Sequence, residues 1–147
     1  MRTYPFISLP ESLVVMRVCV AALFMAHAVV RIANGSIPGF GAFLERLGFP
    51  SGVAVVWAIT AVEIVAGTLM ALGWRARWMA SALFVIVAVG ILLIHRHFGW
   101  FVGEHGTGGS EYSVSLMVSL LVIAAADRPA ASPHSERTNH ASVVGGR

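Results

Sequence analysis

The sequence has no lysine and a single cysteine, Cys19, among its 147 residues. Without lysine, the chain has no side chain for Schiff-base chemistry and no lysine for a P-loop. One cysteine excludes an internal disulfide, a CxxC redox pair and a cysteine-ligated zinc or iron–sulfur site. Several classes of enzyme and metalloprotein are therefore excluded, and we interpret Cys19 as a packing or lipid-facing residue.

Charged residues are also scarce. They make up only 12% of the chain, whereas 57% of the residues are apolar and the mean hydropathy is +0.80. A typical soluble domain is about 25% charged, so the composition indicates an integral membrane protein. The ten positive charges are all arginines, scattered rather than gathered in a basic cluster with interleaved aromatics. The sequence therefore predicts no binding to nucleic acid.

Four apolar segments predict an all-α integral membrane protein, folded as a bundle of four transmembrane helices. The predicted spans are residues 12–32, 52–73, 78–95 and 111–126. They form one transmembrane domain over residues 1–127, and the polar, Pro-rich and Ser-rich segment 128–147 is predicted to be a disordered cytoplasmic tail. Phe40, Phe43, Leu44 and Leu47 in the first loop predict a short helix lying in the membrane interface.

The arginines orient the predicted bundle. Arg2, Arg75, Arg77 and the arginines of the tail fall on one side, whereas the opposite loops carry only Arg46 and Arg96. By the positive-inside rule, the richer side faces the cytoplasm. We therefore predict a protein of the inner (cytoplasmic) membrane with both termini in the cytoplasm and two long loops facing outward.

Glu63 lies at the centre of the second apolar segment, where a charged side chain costs about 2.5–3.5 kcal/mol. Such a residue implies a partner. The first segment offers Arg17 and His27, each within about 8 Å of Glu63 in depth. Arg31 shares their face of that helix but stands at its outer end. We therefore expect Glu63 to contact Arg17 or His27, and the Arg17–Glu63 pair has the simpler geometry.

Polar residues follow one face of the second helix and one face of the fourth. They are Thr60, Glu63 and Gly67 on the second, and Glu111, Ser115 and Ser119 on the fourth. Together with the first helix, these faces predict a common polar interior, for which two interpretations stay open. Either the Arg17–Glu63 pair is a structural clamp, or the polar groups line a cavity that binds a ligand or handles protons.

A second polar cluster belongs to the outer loop and contains His95, His97, His105, Glu111 and Tyr112. Two histidines two residues apart point to opposite faces of a helix, which does not suit a shared metal ion. We therefore predict no metal site and assign this cluster to interfacial capping or proton traffic.

Three ordered motifs resemble those of the DoxX family, over about residues 13–126. The first is Arg17 with the stretch 23–31, the second is 61–67 with 72–75, and the third is 97–100 with 108–112. Ala28 replaces the family's usual glycine, and Asp127 to Pro129 stands where a Gly-x-Gly often ends the fourth helix. The resemblance implies a small four-helix membrane protein of redox association. Members of the family include a subunit of a thiosulfate:quinone oxidoreductase and proteins found with oxidative-stress partners.

The polar residues and the resemblance together define a candidate site. Glu63 and His27 are the predicted catalytic residues, which would exchange a proton with a quinone oxygen. The predicted ligand-binding residues are Arg17, Arg31, Glu111, Tyr112 and His97. In this arrangement Arg17 holds Glu63 in its charged form, and Tyr112 donates a hydrogen bond to the ligand.

We therefore predict a redox-associated inner-membrane subunit with an intramembrane polar cavity for quinone or another small lipophile. If it is an enzyme, it is an oxidoreductase subunit that uses quinone. Its expected partners are the lipid bilayer and either a redox protein or further copies of the chain. The alternative prediction is a non-catalytic assembly or anchoring subunit, or a small-solute carrier, whose buried charges are structural.

Overall fold

The computed structural model describes residues 6–102 and 108–127, and all regular structure within them is helical. The elements are α1 (Leu9–Ala33), α2 (Ile37–Arg46), α3 (Gly52–Ala71), α4 (Ala76–Leu93), a short 3₁₀ turn (His95–Phe98) and α5 (Glu111–Ala126). The all-helical class is confirmed, and so is a short helix in the first loop. The predicted tail, Arg2 and His105 lie outside the described residues.

The helices are those of an integral membrane protein. Three of them in the described part of the chain, α1, α3 and α4, are long and apolar enough to cross a bilayer. The fourth long helix, α5, is also apolar but has 16 residues, which gives it a length of about 24 Å. α5 nevertheless packs against α4 along the whole length of that helix. Asp127, at its end, accepts a hydrogen bond from the backbone N–H of Arg77 in the first turn of α4, at 2.7 Å.

Local sequence signals set where the helices begin and end. Ser8 and Glu11 form a capping box at the start of α1, which satisfies two otherwise unpaired backbone donors. At the end of α3, the N–H of Trp74 donates to the carbonyl of Leu69 and the N–H of Gly73 to that of Met70. This Schellman pattern needs a left-handed residue, and Gly73 supplies it with φ of +78°.

The long helices follow the order α1, α3, α4, α5 around the bundle, and α5 closes the ring against α1. The core between them is formed by Val20, Ala21, Phe24, Ala66, Met70, Ala76, Ala80, Leu83, Leu120 and Ile123. Small residues allow α1 and α3 to approach closely, as is common between membrane helices. A Cβ on Gly67 would lie 2.9 Å from the Cγ of Met25.

The contacts between α1 and α3 define their antiparallel register. Arg17 lies against Gly73, Met25 lies against Gly67, and Arg31 reaches Thr60. In this register α3 extends past the end of α1 by about six residues, or about 9 Å. The depths estimated from the sequence assumed that the end of the first helix is level with the start of the second. They therefore placed Arg31 too far from the depth of Glu63.

The short helix α2 covers the part of α3 that extends past α1. Leu44 is buried in a small apolar cluster with Val56 of α3. The two backbones approach closely, because a Cβ on Gly52 would overlap the carbonyl oxygen of Gly41. The Oε1 of Glu45 accepts a hydrogen bond from the N–H of Gly52 at 3.0 Å, which caps the start of α3. The position of α2 therefore fixes the first turn of α3.

Candidate functional site: a cavity inside the helix bundle

The centre of the site is an ion pair between Arg31 and Glu63. The Nη1 of Arg31 lies 2.7 Å from Oε2 of Glu63, and its Nη2 lies 3.3 Å from Oε1. The same Nη1 donates to the hydroxyl of Thr60 at 2.8 Å. Thr60 and Glu63 are only 1% and 4% exposed. Both carboxylate oxygens are thus engaged by one guanidinium, in the two-bond geometry that favours arginine over lysine.

The predicted partners of Glu63 were wrong. Arg17 lies about 21 Å from Arg31 along α1, beside Gly73. His27 is exposed on α1 and faces the cavity instead. Two features explain the difference. The register brings Arg31 level with Thr60, and helical side chains point back toward the N-terminus of their helix, which carries the Arg31 guanidinium to the depth of Glu63.

A cavity of about 500 Å³ lies next to the ion pair, within the usual range for small-molecule sites. Its walls are mostly apolar and include Leu23, Phe24, Phe40, Leu44, Ile59, Val85, Ile86, Val89, Leu93, Val102 and Leu116. The polar side chains among its lining residues are His27, Arg31, Glu63, His95, Tyr112 and Ser113. All five α-helices contribute to it, and so does the segment after α4.

Two imidazoles, His27 and His95, line this cavity from different elements. His95 begins the 3₁₀ turn after α4 and lies close to Gly90. Burial lowers the pKa of His95, and the positive charge that His27 can carry lowers this pKa further. A neutral His95, with one donor and one acceptor nitrogen, is therefore favoured near neutral pH. No group of three or more His, Cys, Asp or Glu side chains suited to a metal ion occurs within the described residues.

The inward face of α5 differs from the predicted one. The hydroxyls of Ser115 and Ser119 each donate to the backbone carbonyl four residues earlier, at 2.9 Å. Glu111 accepts a hydrogen bond from a loop N–H at 3.0 Å. Serine in helices commonly satisfies itself in this way, so its four-residue spacing here does not indicate a polar interior. The residues of α5 that line the cavity are instead Tyr112, Ser113 and Leu116.

The structure brings together four of the seven predicted site residues. His27, Arg31, Glu63 and Tyr112 line the cavity. Arg17, Glu111 and His97 do not: the first lies at the opposite end of α1, the second supports the loop before α5, and the third lies in the 3₁₀ turn. Ser113 was missed, although its spacing from Leu116 and Leu120 marks one helical face.

A second, more open pocket of about 360 Å³ adjoins the cavity. The two share Leu23, His27, Arg31 and Tyr112, and the second pocket also touches Ala26, Val30 and Ser36. His27 and Tyr112 therefore stand between the cavity and the more open pocket, where α1 meets α5. A ligand leaving the cavity on this side would pass both rings.

Comparison with known proteins supports the resemblance over most of the bundle. The sequence pattern of the DoxX family matches residues 12–96, which is more than half of the chain. The match contains His27, Arg31 and Glu63, whereas the third resembling motif, including Tyr112, follows it. No curated protein and no solved structure matches this chain.

Proposed function

Since this chain belongs to the DoxX family, we propose that it is a redox-associated membrane protein whose cavity binds quinone or another small lipophile with a carbonyl or hydroxyl oxygen. One observation carries the proposal. The rings of His27, His95 and Tyr112 line an otherwise largely apolar cavity of about 500 Å³, beside the buried Arg31–Glu63 pair. Apolar walls with a few convergent polar groups are typical of small-molecule sites.

The charges of the cavity favour a neutral ligand. The Arg31 guanidinium and the Glu63 carboxylate neutralise each other at 2.7 Å, and Thr60 takes a further donor of Arg31. An anionic ligand would have to compete with Glu63 for the guanidinium, and burying an unpaired charge is costly. A quinone or a similar uncharged molecule needs no such exchange.

The hydrogen-bonding groups of the cavity suit a ligand oxygen. Neither the imidazole of His27 nor the hydroxyl of Tyr112 forms a hydrogen bond within residues 6–102 and 108–127. We infer that Tyr112 donates to an oxygen of the ligand and that His27 exchanges a proton with it. Quinone reduction adds a proton for each electron, so electrons from a redox partner protein would be matched by protons through His27. Glu63 then acts as a positioning residue, because both of its oxygens are held by Arg31.

We also propose four membrane crossings, with both termini in the cytoplasm. α5 runs the whole length of α4, from the loop after α4 back to Arg77, so a bilayer crossed by α4 is crossed by α5 as well. The orientation follows from the arginine distribution. In this topology the cavity opens toward the outer leaflet, and α2 lies at the outer surface.

Single cysteines on a Cys19→Ser background test this topology. Leu72→Cys and Ala126→Cys are expected to react with a membrane-impermeant maleimide only from the cytoplasmic side. Gly39→Cys and Gly108→Cys, both at glycines with open space around them, are expected to react only from the outside. Labelling of Ala126→Cys from the same side as Gly108→Cys would show that α5 does not cross.

Ligand binding tests the cavity. His27→Leu and Tyr112→Phe are each expected to weaken the binding of a quinone analogue by about 3- to 10-fold, since each removes one hydrogen bond. The protein is purified into lipid nanodiscs, and the dissociation constant is measured by titration. Ser115→Ala is the matched control, because that hydroxyl bonds only its own helix. Unchanged binding in both cavity variants would place the ligand elsewhere.

A second function is favoured by the ion pair itself. Arg31, Glu63 and Thr60 satisfy one another, as expected of a clamp between helices in a non-catalytic anchoring subunit or a small-solute carrier. The lipids extracted from the purified protein distinguish the two. Co-purified quinone supports the first proposal, whereas protein that neither carries quinone nor binds its analogues supports the second.

A further inference from the structure

Arg17 lies outside the cavity, in the N-terminal half of α1. Its guanidinium packs against the turn after α3, where Nη1, Cζ and Nη2 lie 3.0–3.1 Å from the position of a Cβ on Gly73. The Nε atom is buried and has no hydrogen-bond partner in the described part of the chain. The carboxyl end of α3 offers favourable dipole charge, but a charged donor left unpaired is costly. The guanidinium therefore keeps donor groups that no acceptor among the described residues uses.

Two further arginines flank the same turn, and each lies over a tryptophan ring. The Cζ atoms of Arg75 and Arg77 are each 5.5 Å from a ring centroid, those of Trp74 and Trp78 respectively. The tryptophans are 56% and 60% exposed. Exposed tryptophan in membrane proteins is enriched at the level of the lipid headgroups. The turn therefore presents guanidinium groups at the depth where lipid phosphates lie.

Acidic groups near this turn are already engaged. Asp127 accepts the backbone N–H of Arg77, and Glu11, near the start of α1, accepts from Ser8. Among the described residues, the three arginines Arg17, Arg75 and Arg77 outnumber these two acids, so their summed charge is positive. Positive charge close to a membrane surface attracts anionic lipids.

We propose that the turn between α3 and α4, together with Arg17, binds the phosphate of an anionic phospholipid. Guanidinium groups suit phosphate oxygens because they donate in pairs from a plane. A lipid fits better than free phosphate because the site is bordered by apolar surface. Leu72 is 75% exposed beside it, where acyl chains can lie, and Trp74 and Trp78 can contact the glycerol region. The lipid locks the α3–α4 turn against α1.

Native mass spectrometry of the purified full chain tests this site. The protein is exchanged into mixed micelles with equal amounts of phosphatidylglycerol and phosphatidylcholine. We expect preferential retention of phosphatidylglycerol, and a loss of about fivefold in that preference for Arg17→Gln or Arg77→Gln. Arg46→Gln, at the opposite end of the bundle, is the control and should retain the wild-type preference.

Further measurements distinguish a lipid site from a site for free phosphate. Inorganic phosphate in excess is not expected to displace the lipid; displacement would show a site for free anions and overturn the lipid assignment. If Arg17→Gln does not fold, the lipid preference of Arg77→Gln still tests the proposal, because the side chain of Arg77 lies on the turn and its loss should not prevent folding. Equal retention of the two lipids by the wild type, or an unchanged preference in Arg77→Gln, overturns the proposal.

Discussion

Glu63→Ala is expected to lower the free energy of unfolding by about 3–5 kcal/mol, because it leaves the largely buried Arg31 guanidinium without its carboxylate. The side chains of Arg31 and Glu63 are only 11% and 5% exposed, so the charge left behind stays largely buried. Arg31→Met should lower the free energy of unfolding by a similar amount, because it leaves the Glu63 carboxylate without its guanidinium. Unfolding in detergent micelles, followed by circular dichroism against added denaturing detergent, measures both.

A pair of double-mutant cycles provides the control. The double variant Arg31→Met with Glu63→Met should lose less stability than Arg31→Met alone or Glu63→Met alone. A buried ion pair can often be replaced by apolar side chains. The same cycle with Arg17→Met should give a coupling energy near zero, as expected for residues without contact. Equal coupling of Glu63 to Arg17 and to Arg31 would contradict the observed pairing.

Gly41→Ala is expected to destabilise the protein by about 1–3 kcal/mol, the usual cost of forcing extra atoms into a packed contact. The new Cβ would lie 2.6 Å from the backbone nitrogen of Val53. A backbone atom cannot relieve the overlap by a rotamer change, as a side chain can. α2 would have to move off α3. Since α2 carries Phe40 and Leu44 of the cavity wall, affinity for the ligand should fall as well.

Gly39→Ala in the same helix is the matched control. A Cβ there meets nothing within 4 Å, and alanine is about 0.5–1 kcal/mol better than glycine inside a helix. The two variants should therefore shift the melting temperature in opposite directions. Equal melting temperatures for them would show that α2 does not pack tightly against α3.

The helices could be predicted because their signals are local. Length and apolar content mark α1, α3 and α4, and the spacing of Phe40, Phe43 and Leu44 marks α2. The ends of the helices also depend on local residues, since Gly73 supplies the left-handed residue at which α3 ends. For these elements, the residues of a single segment were sufficient.

The pairing inside the bundle could not be predicted, because it depends on the register of one helix against another. That register is set where Gly67 of α3 packs against Ala21 and Met25 of α1. The sequence indicated that Glu63 needs a partner on the first helix, and Arg31 stood on the correct face. Only the observed offset selects Arg31 over Arg17.

Photoaffinity labelling most directly tests the central claim that the cavity is a ligand site. Protein in native-lipid nanodiscs is irradiated with a diazirine-bearing quinone analogue, and the adducts are mapped by peptide mass spectrometry. We expect adducts on cavity residues of α4 and α5, such as Val89, Tyr112 and Leu116, which excess unlabelled quinone suppresses. Adducts confined to lipid-facing residues such as Val65 and Val118, with no competition by quinone, would contradict the account.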